Sequence, residues 1–150
     1  SYIAINPVNP QEMYITTGDA HASDTYSIGI LKSIDGGLTW DTTGMQFPVP
    51  SNKMVNKLII HPNYTDSLFA VTDERIMISP DGGQTWSMAL NSNGGNLIGR
   101  FRDIEFKPNN PNVLYAVKQT TGSSEVFKSI DRGITWFSSN NGIKSKNSLS

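Results

Sequence analysis

Two carboxylates, a histidine and a tyrosine cluster in one short stretch, as Asp19, His21, Asp24 and Tyr26 within Gly18–Ser27. Such a set could offer a carboxylate to a sugar or help to bind a cation. The bland alternative is that Asp and Ser satisfy their own loop backbone while Tyr26 packs on a sheet edge. The spacing matches no calcium-loop template, and a lone His is not a zinc site. Arg100 and Arg102 flank Phe101. Two guanidinium forks could meet a carboxylate ligand; otherwise they are rim charges. Three further carboxylates, Asp35, Asp81 and Asp131, recur at regular intervals. Acid–base or metal chemistry would need them to converge on one point.

The surroundings of these three argue against convergence. Ser33, Asp35, Gly37, Thr39 and Trp40 recur without gaps as Ser79, Asp81, Gly83, Thr85 and Trp86, and again as Ser129, Asp131, Gly133, Thr135 and Trp136. The three Trp are 46 and then 50 residues apart. Pro7, Pro62 and Pro108 are each followed seven residues later by an aromatic, Tyr14, Phe69 and Tyr115. Trp40 to Pro62 and Trp86 to Pro108 are both 22 residues. The variable spacing lies between each Pro and the next octad.

Short runs of alternating apolar and β-branched residues punctuate this frame. They are bounded by Gly, Pro and Asn, which are strand and turn signals. The expectation is four strands per unit: Tyr2–Asn6, Glu12–Thr17, Ile28–Ser33 and Thr39–Thr42; then Lys57–His61, Ser67–Thr72, Arg75–Ser79 and Thr85–Leu90; then Asp103–Lys107, Val113–Lys118, Glu125–Ser129 and Thr135–Ser138. No window has a helical period. In the octad, Gly suits a turn position with positive φ, Asp accepts from turn amides, and Ser and Thr tie the arms of a hairpin. Trp is expected to bury its ring between neighbouring sheets.

The octad Ser-x-Asp-x-Gly-x-Thr-Trp resembles the Asp-box, or BNR, repeat of sialidases, sortilin-type receptors and xyloglucan-degrading glycoside hydrolases. The resemblance covers nearly the whole chain. It implies an all-β fold of three four-stranded antiparallel β-propeller blades, at about residues 1–44, 55–90 and 101–139, with a tail over 140–150. It implies little about activity, because the repeat serves enzymes, receptors and scaffolds alike. The sialidase Arg-Ile-Pro signature is absent, and no Tyr–Glu nucleophile pair can be assigned.

A complete propeller has typically four to eight blades. The chain is therefore expected to be a piece of a larger propeller, with the remaining blades as partners, or else to close by self-association. In a four-stranded meander the octads and the Pro turns share one face. The other face carries the second-to-third-strand loops (18–27, 73–74, 119–124) and the connections between units (43–56, 91–101). Families with this repeat bind ligands there. His61 stands where the other copies have Asn6 and Lys107, and reads as a turn residue on the far face.

The net charge of −1 and 17% charged residues give no pull toward nucleic acid or an anionic membrane. No apolar stretch approaches the roughly 20 residues of a membrane helix. The absence of Cys excludes disulfides and Cys-based zinc sites. No metal or cofactor is expected. The first expectation for function is a non-catalytic propeller segment of a secreted or surface-exposed bacterial protein, recognising a glycan or a protein. The alternative is a fragment of a glycoside hydrolase, xyloglucanase-like before sialidase-like. That would need two carboxylates separated by roughly 5 to 9.5 Å, Asp19 or Asp24 supplying one.

Overall fold

The computed structural model describes residues 1–18, 26–48 and 53–143. They fold as three consecutive antiparallel sheets. The first comprises β1 (Tyr2–Ile5), β2 (Met13–Thr16), β3 (Gly29–Ser33) and β4 (Asp41–Gln46), in that spatial order. The second comprises β5 (Val55–Ile60), β6 (Leu68–Thr72), β7 (Ile76–Ser79) and β8 (Ser87–Met88). A two-residue strand, β9 (Leu90–Asn91), then crosses to the third sheet. That sheet comprises β10 (Arg100–Lys107), β11 (Asn110–Thr120), β12 (Ser123–Ser129) and β13 (Thr135–Ser138). The first strands β1, β5 and β10 lie beside one another, along the inner edge of the stack.

Period-2 alternation builds two separate cores. Leu68 and Ala70 of β6 point into the core shared by the first two sheets, with Ala4, Tyr14, Ile30 and Leu58. Phe69 and Val71 point the other way, joining Ile59, Phe101, Ile104 and Trp136 between the second and third sheets. All five residues of β6 are therefore buried. Its near-continuous apolar sequence is what a strand covered on both faces requires.

Backbone bonds stitch the sheets together. Gly44 N–H donates to the Gly83 carbonyl at 2.8 Å, and Leu90 N–H donates to the Ile134 carbonyl at 3.0 Å. Gly44 and Leu90 stand four residues after Trp40 and Trp86, so equivalent donors reach the next octad, one residue further along it at the second junction. At the first junction a β-carbon on residue 44 would lie 1.9 Å from the Gln84 carbonyl oxygen, so only glycine allows the approach.

The third sheet departs from the strand lengths expected. β11 and β12 run on to Thr120 and Ser123 around the Thr121-Gly122 turn, so most of the 119–124 loop is strand. Its Pro turn is a tight hairpin pairing Lys107 with Asn110, with Asn109 at φ +63°. In the second sheet the expected strand Thr85–Leu90 is broken at Ala89, where the chain leaves β8 for β9 and pairs parallel with β13. The ladder to the neighbouring sheet overrides local propensity there.

Candidate functional site

The octad carboxylates are held by their own hairpins. Asp35 Oδ1 accepts from the Ser33 hydroxyl at 2.8 Å and from Thr39 N–H at 2.9 Å, and Oδ2 accepts from the Thr39 hydroxyl. Asp81 and Asp131 repeat the set with Ser79 and Thr85, and with Ser129 and Thr135. Each Ser hydroxyl accepts from the N–H of Gly37, Gly83 or Gly133, which sit at φ +89°, +88° and +81°. Each Trp indole N–H donates to the carbonyl of that glycine. The Thr39 hydroxyl and amide and the Ser33 hydroxyl pull the Asp35 carboxyl from its usual 3.8 to about 2. Each carboxylate is thus committed to the geometry of its own hairpin, and its lowered pKa keeps it ionised rather than available as a general acid near neutral pH.

Trp burial is graded. Trp136 is wholly buried in the core between the second and third sheets, and Trp86 packs against the core before it. Each ring thus packs toward the preceding sheet. Trp40, like Trp86, is half-buried, so of the three rings Trp136 alone meets in full the expectation of burial between sheets.

On the opposite face, the inner edge between the second and third sheets carries a connected polar cluster. Arg102 Nε donates to Gln119 Oε1 at 2.8 Å, and its NH1 donates to Asp73 Oδ1 at 3.1 Å and to Asn56 Oδ1 at 3.3 Å. Asn56 Nδ2 donates to Asp73 Oδ1 and to the Phe101 carbonyl. Asp73 is positioned by the 72–75 turn, where Thr72 Oγ1 accepts from the N–H groups of Glu74 and Arg75. Deeper along the edge, Lys57 Nζ donates to Asp103 Oδ1 at 2.8 Å and to Glu105, and lies 5.7 Å from the Tyr2 ring centroid. Tyr2, Lys57 and Asp103 are the same position of three successive inner strands. Beside Asp73, a groove between the first and second sheets has Met45, Phe47, Met54 and Met77 on its walls and Lys53 and Glu74 at its rim. Methionine and aromatic walls with a charged rim suit an amphipathic ligand such as a sugar face.

The candidates read from sequence divide accordingly. Asp19, His21 and Asp24 lie outside the described residues. Tyr26 is 46% exposed at the base of that loop. Arg102 is committed to Asp73, Asn56 and Gln119, and Arg100 lines a shallow rim with Gln119 and Thr120. Asp73, Asn56 and Lys57 escaped sequence reasoning. The one signal for Asp73 was its place in the shortest loop of the ligand face. Among the described residues no group of three or more His, Cys, Asp or Glu side chains could hold a metal ion.

His61 is wholly buried, a turn residue turned inward. Its Nδ1 accepts from Asn63 and Tyr64 N–H, both at 3.2 Å. Asn6 Oδ1 accepts from Val8 and Asn9 N–H in the same pattern. Histidine thus replaces asparagine as the acceptor of the Pro turn.

Comparison with solved structures decides the architecture. An ancestral GH74 enzyme superposes with a TM-score of 0.70 at 22% identity, over 91% of this chain and 17% of that one. The fold is that of a β-propeller. A GH74 enzyme of Niastella koreensis matches with a TM-score of 0.65 and 25% identity, over 91% of this chain and 22% of that propeller enzyme. No family model matches the chain. Among curated proteins, a xyloglucanase of Paenibacillus sp is 28% identical over 160 residues, covering 89% of this chain. Xyloglucanase Xgh74A of Acetivibrio thermocellus is 29% identical over 158 residues. The oligoxyloglucan-reducing end-specific xyloglucanase of Emericella nidulans is 28% identical over 144. The chain spans only 15–19% of the length of these relatives. Among the described residues no helix is long and apolar enough to cross a membrane.

Proposed function

We propose that this chain is three blades of a larger, extracellular glycoside-hydrolase propeller of the xyloglucanase type, and that its octads are Asp boxes with a folding role. The observation that carries the reading is 28–29% identity to xyloglucanases across 89% of the chain. The non-catalytic recognition segment, the first expectation from sequence, has less support, since its alternative matches what these relatives are named for. An extracellular location follows from a polymeric substrate too large to enter a cell.

The chemistry of the two faces supports the same reading. The Asp-box face has its carboxylates tied into turn hydrogen bonds. The opposite face offers the groove by Met45 and Phe47, the Asp73–Arg102 pair and the base of the Gly18–Ser27 loop. On this reading the ligand face lies there, with Asp19 or Asp24 as one member of the carboxylate pair that glycoside hydrolysis requires and another part of the protein supplying the second.

The test is hydrolysis of xyloglucan and its oligosaccharides by the full-length parent, with Asp19→Asn and Asp24→Asn variants. A fall of roughly 100-fold or more in one variant is expected for loss of a general acid or base. A parent that hydrolyses no glycan would overturn the enzyme reading and return the chain to a recognition role.

A further inference from the structure

Two inner strands carry the same irregularity. The register of β5 on β6 slips between Val55 and Lys57, and that of β10 on β11 slips between Phe101 and Asp103. The extra residues are Asn56 and Arg102, each six positions before its Pro. A bulge takes its extra side chain out of the alternation and re-aims it. Here both re-aimed side chains arrive at one atom. Asn56 Nδ2 donates to Asp73 Oδ1 at 3.0 Å, and Arg102 NH1 donates to the same oxygen at 3.1 Å. The turn that carries Asp73 is pinned as well. Thr72 N–H and its hydroxyl donate to the Arg75 carbonyl, and Gly99 N–H donates to the Glu74 carbonyl at 2.7 Å.

These bonds use one oxygen of Asp73 and leave the other. Among the described residues the single buried side-chain N or O atom without a hydrogen-bond partner is His61 Nε2. Asp73 Oδ2 has no partner there either, so it is open to solvent. Asp73 also lines the groove walled by Met45, Phe47, Met54 and Met77. A carboxylate whose first oxygen is anchored presents its second as a directed acceptor. Hydrogen bonds from O–H groups to such an ionised oxygen are roughly twice as strong as neutral ones.

The charges around the groove decide the kind of ligand. Glu74 pairs with Arg75 at 3.1 Å and with Lys53 at 3.6 Å, and Asp73 pairs with Arg102 at 3.1 Å. Every charge at this rim already has a partner, so none is left alone to draw an ion. Thioether and phenyl walls favour C–H surfaces instead. A pyranose meets both demands, with C–H groups on its face and O–H groups at its edge.

We infer that Asp73 is a ligand-binding residue, its Oδ2 accepting from hydroxyl groups of a neutral oligosaccharide laid along the Met45–Met77 groove. Asn56 and Arg102 are positioning residues that act through Asp73. The inference rests on the reading of this face as the ligand face and adds the residue that touches the ligand. It requires no catalytic carboxylate in this chain.

The test uses the full-length parent with xyloglucan oligosaccharides, measuring Kd by calorimetry and, where hydrolysis occurs, KM and kcat. Asp73→Asn is the informative change. Its remaining oxygen can still accept from Asn56 and Arg102, while the groove-facing atom turns from acceptor to donor. Kd and KM are expected to rise roughly 10- to 100-fold, with kcat unchanged, as for an interaction made equally with bound substrate and transition state. Met54→Ala, which shortens a wall and leaves the ion pairs alone, should weaken binding as well. Unchanged Kd and KM in an Asp73→Asn variant that is folded by circular dichroism would overturn the inference. If that variant does not fold, unchanged binding by Met54→Ala overturns it instead. A parent that hydrolyses the oligosaccharides with KM indifferent to Asp73 would keep the hydrolase reading and sink this one. A parent that binds them without hydrolysis, and more weakly as Asp73→Asn, would do the reverse. A parent that binds none would overturn both.

Discussion

Gly133 presses its α-carbon against the ring of Phe69, and a β-carbon there would lie 2.7 Å from Phe69 Cε1 and 3.0 Å from Cδ1. Two demands meet at this residue: φ of +81° for the hairpin and no side chain for the junction. Gly133→Ala therefore incurs left-handed strain of roughly 1–2 kcal/mol plus overpacking of about 1–3 kcal/mol. Chemical denaturation should show a loss at the upper end of these values. A change under 1 kcal/mol would mean the second and third sheets can move apart freely.

The Asp-rich hairpins predict an acid limb. Burial alone would raise the Asp131 carboxyl, but hydrogen bonds from Thr135 and Ser129 outweigh it and hold the group below the usual carboxylate range. Asp81 is lowered as well, chiefly by Thr85, and Asp35 falls to about 2. Because the folded state resists protonation, this stability is complete above the usual 3.8 and is lost as pH falls toward about 2. At neutral pH, Asp131→Ala should cost roughly 1–3 kcal/mol through unsatisfied donors, and should flatten part of the acid limb seen in urea midpoints.

His61 predicts a second limb at milder pH. Burial first, and then the Arg132 guanidinium, lower its pKa below 6.5. Arg132 also lies 5.8 Å from the ring of Tyr64, which packs on His61 together with Phe106. Protonation would place a donor where Nδ1 accepts two backbone N–H groups. The unfolded chain thus takes the proton first, so stability is full above pH 6.5 and declines as pH falls below it. The slope can reach about 1.4 kcal/mol per pH unit. His61→Asn, which restores the Asn6 acceptor, should remove this slope while His21→Asn retains it. Thermal midpoints between pH 7 and 5 would measure both.

Lys57 bridges Asp103 and Glu105 on the inner edge, its own side chain mostly covered and theirs mostly exposed. Lys57→Met leaves two facing carboxylates without their cation. Exposure on the acid side limits the loss to roughly 0.5–1 kcal/mol. The loss should shrink in 1 M salt, where the Debye length is about 3 Å. A salt-independent loss would mean that packing of the Lys57 stem, not its charge, is what matters.

The sequence alone determined the three-unit organisation and nearly every strand, because period-2 alternation and the Ser–Asp–Gly–Thr–Trp hairpin act over a few residues. Tyr14, Phe69 and Tyr115 were legible as equivalent. The tertiary structure decided what covers the first two, Gly82 on Tyr14 and Gly133 on Phe69. It also decided the end of β8 at Met88 and the extension of β11 to Thr120, where the ladder to a neighbouring strand overrides local propensity. The candidate site was less legible. Arg102 was visible as a residue type. Its commitment to Asp73, 29 positions away, was not, because that pairing exists only once two sheets pack side by side. His61 likewise reads as a turn residue on the far face, and its burial comes only when Phe106 of the next sheet packs on it. Local hydrogen bonds and alternation are written in short segments of chain; burial and charge pairing between repeats depend on which surfaces the packed sheets bring together.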